Sequence, residues 1–165
     1  MVYCTLLRFL VKQNLIGYVT LAAMNPRFQP GTRFEWRYTV PARATVPQLY
    51  HDTPFCHAMP DVLATGYLVG IMELACLNGM RDYLDWPHEQ SLGTMVNFQH
   101  LAPTPPGMEV HVKVEVLEVD GRRVLFGVEA WDACDKICSG THERHVIDAA
   151  RFNDKLARKI ARAAS

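Results

Sequence analysis

The sequence predicts an α+β fold in which one curved antiparallel sheet wraps a long central apolar helix. Three observations point there. Residues 59–80, MPDVLATGYLVGIMELACLNGM, are the longest helix-compatible stretch in the middle of the chain and are almost entirely apolar. Residues 90–147 carry four runs that read as strands, parted by turn signals. No second long helical segment is present to cross over a doubly wound parallel sheet.

Taken in order, residues 1–23 read as an N-terminal extension outside the domain, and 24–165 as a single domain. The apolar run of the extension is broken by Gln13, Asn14 and Gly17, which makes a poor signal peptide; a short amphipathic helix packed on the body and a start at Met24 are the other two readings. Residues 33–40 put Phe34, Trp36 and Tyr38 on one parity, as a strand requires. Residues 41–58 hold Pro41, Pro47 and Pro54 and read as a long connection; its Tyr50, Phe55, Cys56 and, just beyond, Met59 are apolar enough to cover a pocket or a subunit contact. The central helix is expected from about Pro60 to about Leu84, with Pro87 as its stop. Having almost no polar stripe, it should be wrapped on most sides.

The meander follows. Residues 90–102 place Leu92, Thr94, Val96, Phe98, His100 and Ala102 on one face. Residues 109–119 alternate to Val116 and slip phase at Leu117, which predicts a bulge or a strong twist. Asp120-Gly121 is a hairpin signal, and 122–132 and 136–147 return. Residues 149–162 space Phe152, Leu156 and Ile160 at i+4 among basic residues, a basic amphipathic helix. A sheet wound around one apolar helix is the hotdog arrangement, and its open edges predict a homodimer.

Composition narrows the function. The 165 residues balance 17 Lys+Arg against 17 Asp+Glu, without the basic excess of a nucleic-acid surface. Five cysteines without regular spacing predict free thiols in a reducing, cytoplasmic compartment. No apolar run reaches the ~18 residues of a membrane span. Cys134, Cys138, His142 and His145 lack the paired spacing of a structural zinc site, so no metal is expected.

Two polar groups stand out on apolar faces. Glu73 has Val69, Gly70, Cys76 and Leu77 as its neighbours on the helix, so its carboxylate should be buried and either paired, hydrogen-bonded or protonated. His100 shares parity with Val96 and Phe98. Each has a structural reading, as a satisfied core carboxylate or an interface histidine. Together, an inward carboxylate and imidazole can poise one another for acid–base work. Thr65 supplies a hydroxyl or caps the helix, and on one continuous helix it would stand about 12 Å from Glu73. Placed in a turn ahead of the helix, it would leave N–H groups around Gly66 and Tyr67 as a seat for an oxyanion.

The stretch PDVLATGYLVGIMELAC (60–76), with SLGT (91–94), HLAPTPPGMEV (100–110), VDGRRV (119–124), SGTHERHVI (139–147) and FNDKLARK (152–159), resembles the fluoroacetyl-CoA-specific thioesterase-like family. The resemblance runs in order from about Gly31 to Lys159. It implies a hotdog fold, a homodimer, and hydrolysis of an acyl-CoA thioester without a further cofactor, coenzyme A being part of the substrate. It implies Thr65, Glu73 and His100 as catalytic residues and Gly93 beside the thioester carbonyl. The family covers the acyl group with phenylalanines just ahead of the helix. Here Cys56 and Met59 fall at those places, with Phe55 adjacent, so the lid should be softer and the fluorinated acyl group less favoured. The alternatives are a non-catalytic acyl-CoA-binding hotdog protein and an enoyl-CoA hydratase or dehydratase, whose aspartate-to-histidine helix pattern is missing.

Overall fold

The computed structural model of the protein describes residues 25–164. The expectation for residues 1–23 therefore falls outside the described residues. Five strands make one antiparallel sheet: β1 (Arg33–Thr39), β2 (Glu89–His100), β3 (Glu109–Asp120), β4 (Arg123–Trp131) and β5 (Lys136–Asp148), in the spatial order β1, β3, β4, β5, β2. Among the described residues three α-helices accompany it: α1 (Val46–Leu49), α2 (Thr65–Arg81) and α3 (Ala149–Ala163).

The sheet follows from alternation. Val110, Val112, Val114 and Val116 all lie within 2% of full burial on the concave face of β3, as do Val124, Phe126, Val128 and Ala130 on β4. Against them packs one face of α2, where Leu68, Ile71, Met72, Ala75, Cys76 and Met80 are buried. Each large side chain so buried contributes about 1.5–3 kcal/mol. The slip at Leu117 is a bulge: the β3–β4 register shifts between Val116 and Glu118. Leu117 is left 45% exposed, lying over Gly127.

Four expectations need correction. Helix α2 starts at Thr65, not near Pro60, and ends at Arg81. Residues 60–64 stay non-helical because Leu63 and Ala64, both buried, give their N–H groups to distant carbonyls, Thr104 O at 2.8 Å and Ala44 O at 2.9 Å. The helix is also not enclosed. Gly66, Gly70 and Leu74 remain exposed along one stripe, so the sheet covers a single face. The connection 41–58 is not irregular throughout; it folds into two 3₁₀ turns and α1.

The fourth correction concerns β2. Its pairing with β5 shifts between Gly93 and Met95, so Thr94 is an extra residue in the strand. A one-residue insertion flips the parity of everything beyond it. Ser91 and Gly93 therefore share the concave face with Val96, Phe98 and His100, while Leu92, opposite His145, looks outward.

Beyond β5, Asp148 caps α3 by accepting from the Arg151 N–H at 2.9 Å. No residue of α3 is buried. The tightest approach in the sheet is at Gly140, where an added Cβ would lie 2.0 Å from the Asn97 carbonyl oxygen and 2.8 Å from Phe98 Cα. Both obstacles are backbone of β2, so Gly140→Ala has to push the two strands apart. The substitution is expected to destabilise the protein by on the order of 3 kcal/mol. Chemical denaturation checks it, and an unchanged midpoint would contradict the packing described.

Candidate active site

The geometry sorts the polar groups into two clusters. The first lies where α2 begins and β2 ends. Thr65 is the first residue of α2, and its N-cap is Ala64, which corrects the reading of Thr65 as a cap. Its hydroxyl meets His100 Nδ1 at 2.9 Å. The N–H groups of Tyr67 and Leu68 both close on Ala64 O at 2.9 Å, so Tyr67 has no N–H to offer an oxyanion. His100 Nε2 is buried without a hydrogen-bond partner among the described residues. Burial holds the imidazole pKa below its ordinary 6.5, with the Ala102 backbone pulling the other way. The ring is thus a neutral base at neutral pH. It opens on a cavity of about 330 Å³ shared with Val46, Val62, Leu63, Leu101 and Pro103.

The second cluster lies further along α2. Glu73 is paired, one of the states expected, but it is not buried: its side chain is 43% exposed. Its Oε1 accepts from Arg144 Nη1 at 3.0 Å, and that arginine is only 3% exposed. Arg144 Nε donates to Ser91 Oγ at 2.9 Å and its Nη2 to Ser91 O at 2.8 Å. His142, also buried, donates from Nδ1 to Met95 O at 2.8 Å and faces Arg144 Nη1 across 3.2 Å with Nε2. Burial, assisted by Arg144, keeps the His142 pKa below 6.5 against the pull of Met95 O. Gly93 completes the group, since a Cβ there would lie 2.8 Å from Glu73 Oε1. Glu73, Gly93, Val96 and His142 line a cavity of about 250 Å³.

Within one chain the structure joins Thr65 to His100, and Gly93 to Glu73. It does not join the two pairs, because eight residues of helix separate Thr65 from Glu73, roughly 12 Å along the axis. Gly66 adjoins Leu49 and Tyr50 of the connecting segment. Of the three lid positions, Cys56 is buried, while Phe55 is 74% and Met59 43% exposed. Sequence reasoning missed Arg144 and Ser91 altogether and met His142 only as a rejected metal ligand. Cys138 and His142 are buried whereas Cys134 and His145 are exposed, so those four residues do not converge.

A family model described as "Fluoroacetyl-CoA-specific thioesterase" matches residues 49–150. The fluoroacetyl-CoA thioesterase of Streptantibioticus cattleyicolor is 45% identical over 136 residues, spanning 82% of this chain and 97% of that protein. A solved structure of the fluoroacetyl-CoA thioesterase FlK, a mutant in complex with acetyl-CoA, superposes with a TM-score of 0.76 at 45% identity, covering 79% of this chain and 98% of that one. A thioesterase superfamily member from Thermus thermophilus matches with a TM-score of 0.71 at 28% identity, over 82% of this chain and 95% of that one.

The two lowered imidazoles have a thermodynamic consequence. As pH falls, the unfolded chain takes up protons at about 6.5, before folded His100 and His142 do, so stability is lost below that point. Denaturant midpoints should be level between about pH 8 and 7 and decline from about pH 6.5 to 5. A midpoint that stays level down to pH 5 contradicts the buried neutral rings.

Proposed function

The chain belongs to the fluoroacetyl-CoA-specific thioesterase family and is a thioester hydrolase, and from that premise we propose that it cleaves small or medium acyl-CoA thioesters through Thr65, Glu73, His100 and Gly93. The observation that carries this is the Thr65–His100 contact at 2.9 Å, with the opposite nitrogen of the same imidazole buried and unpartnered. When Thr65 accepts from Nδ1–H, Nε2 is a free base aimed away from the helix.

In the proposed reaction a Glu73 carboxylate oxygen attacks the thioester carbonyl carbon. Charge building on the carbonyl oxygen is met by backbone at Gly93 and by the Thr65 hydroxyl. The C–S bond breaks, coenzyme A leaves as thiolate, and a mixed anhydride remains on Glu73. His100 takes a proton from water as it adds to the anhydride, releasing the carboxylic acid and restoring the Glu73 carboxylate. His100 then gives that proton to the released thiolate, which restores the neutral imidazole.

The 12 Å between the two pairs in one chain favours a site completed by a second copy, with Glu73 of one subunit facing Thr65 and His100 of the other. Support comes from β2, a 12-residue edge strand on which Leu92, Met95 and Val96 are 39, 38 and 45% exposed. Long apolar edges invite pairing. The exposed Gly66, Gly70 and Leu74 stripe of α2 lacks cover in the same way. Exposed Met59 and Phe55 are the proposed cover over the acyl group, and the flexible thioether suits a broader range of acyl shapes.

Steady-state hydrolysis on acetyl-, fluoroacetyl-, propionyl-, butyryl- and hexanoyl-CoA tests the chemistry. Glu73→Gln and His100→Ala should each lower kcat by about 10²-fold or more, with little parent preference for fluoroacetyl over acetyl. Turnover intact in both variants would remove these roles. Assembly has its own measurement. Mixing inactive Glu73→Gln with inactive His100→Ala should restore about a quarter of parent activity, since half the dimers then carry one complete site. Absence of recovery would place each site within a single chain.

A further inference from the structure

The groups nearest Glu73 that have no role above are Arg144, His142 and Ser91, and their geometry is unusually determined. We propose that Arg144 and His142 are positioning residues that lock Glu73 and the Gly93 bulge into one rigid unit, leaving a single Glu73 oxygen for the substrate. This deepens the reading of Glu73 as the attacking carboxylate and rests on it.

Arg144 is held by three acceptors on two elements: Ser91 Oγ and Ser91 O on β2, and Glu73 Oε1 on α2. A planar guanidinium so gripped has no freedom left, and it commits Oε1 as its acceptor. Oε2 is the oxygen left for chemistry.

The same guanidinium decides the state of His142. Arginine carries five donors and no acceptor, so its contact with His142 Nε2 at 3.2 Å requires a lone pair on that nitrogen. The proton therefore sits on Nδ1, which donates to Met95 O. A second proton would place two cations against each other in a buried site. His142 borders the cavity but is not a base for the reaction; it props the first residue paired after the bulge. Gly93 closes the unit, because a Cβ would crowd Glu73 Oε1 at 2.8 Å and His142 Cε1 at 3.0 Å.

Two other titratable groups lie close to this place. Cys76, nearly one turn on along α2, has its thiol pushed up to about 12 by burial and is neutral. Glu143 lies on the outer face, paired with Arg123 at 3.1 Å. An ion pair with one partner half in water adds little net stability. The benefit of this one lies in geometry.

The test uses the full chain, an acyl-CoA that the parent hydrolyses, and circular dichroism to verify folding. Arg144→Lys keeps the charge and loses the fork; kcat should fall about 10²-fold with KM within about threefold, the scale of an ångström-level misplacement. Arg144→Ala should regain at least about tenfold of its lost kcat when guanidinium ion is added at sub-denaturing concentration. His142→Asn, which still donates to Met95 O, should keep kcat within about threefold, whereas His142→Ala should not. If Arg144→Ala does not fold, the lysine variant decides. A folded Arg144→Lys with parental kcat, or with its loss confined to KM, overturns the positioning role. A parent whose turnover survives Glu73→Gln overturns instead the catalytic reading beneath it.

Discussion

The structure depends on one extra residue in one strand. Gly93 and His100 are seven positions apart on β2, and an unbroken strand would send them to opposite faces of the sheet. The bulge between Gly93 and Met95 reverses the parity, so both look toward α2. It has a price in lost ladder bonds, partly met by Thr94, whose hydroxyl reaches Glu143 Oε1 at 2.7 Å. On the other side His142 takes Met95 O. The polar side chains that β2 and β5 turn to the concave face lie around that reversal: Ser91 before it, His100 after it, and Arg144 and His142 opposite on β5.

Much of this was legible beforehand. Strong period-two alternation marked β3 and β4, because each strand has one face sealed against the core and one in water. The phase slip at Leu117 was visible for the same reason: a clean alternation makes a single irregularity conspicuous. The β2 bulge escaped notice since Leu92, Thr94, Val96 and Phe98 form a convincing alternation of their own. Only the pairing with β5 shows that half of it faces outward. The start of α2 was misplaced because nothing local forbids a helix at residues 60–64; their hydrogen bonds go to Thr104 and Ala44, partners that no window of sequence contains. Arg144 was read only as part of a recognisable string. Arginine is mostly a surface residue, and burial of this one shows only when Ser91 and Glu73, far away in the chain, are brought to it.

Glu73 was expected to be buried and either paired, hydrogen-bonded or protonated, and it is paired but half open. Both facts follow from its place on the rim of the covered face of α2. One flank rests against Arg144 beneath the sheet, and the other looks into a cavity. A carboxylate buried completely would be costly to keep charged, and one fully in water would gain little from its arginine. The rim leaves the same group with a counter-ion on one side and an open cavity on the other. The exposed stripe of Gly66, Gly70 and Leu74 borders that rim, where the absence of large side chains permits close approach.

The four cysteines among the described residues are free thiols, and three of them are buried. Burial pushes the thiol of Cys76 up to about 12 and that of Cys138 up to about 11. Only a thiolate attacks a disulfide or is readily oxidised, so these two sulfurs are chemically silent near neutrality. That silence has meaning for an enzyme whose turnover sets free a thiol. Once oxidised to a disulfide, the released coenzyme A is a partner for thiol–disulfide exchange with the protein that produced it. Cys134 alone among the described cysteines stands exposed on a turn, beyond β4. The core on which α2 and β5 meet is closed to that exchange, which among the described cysteines is left to Cys134.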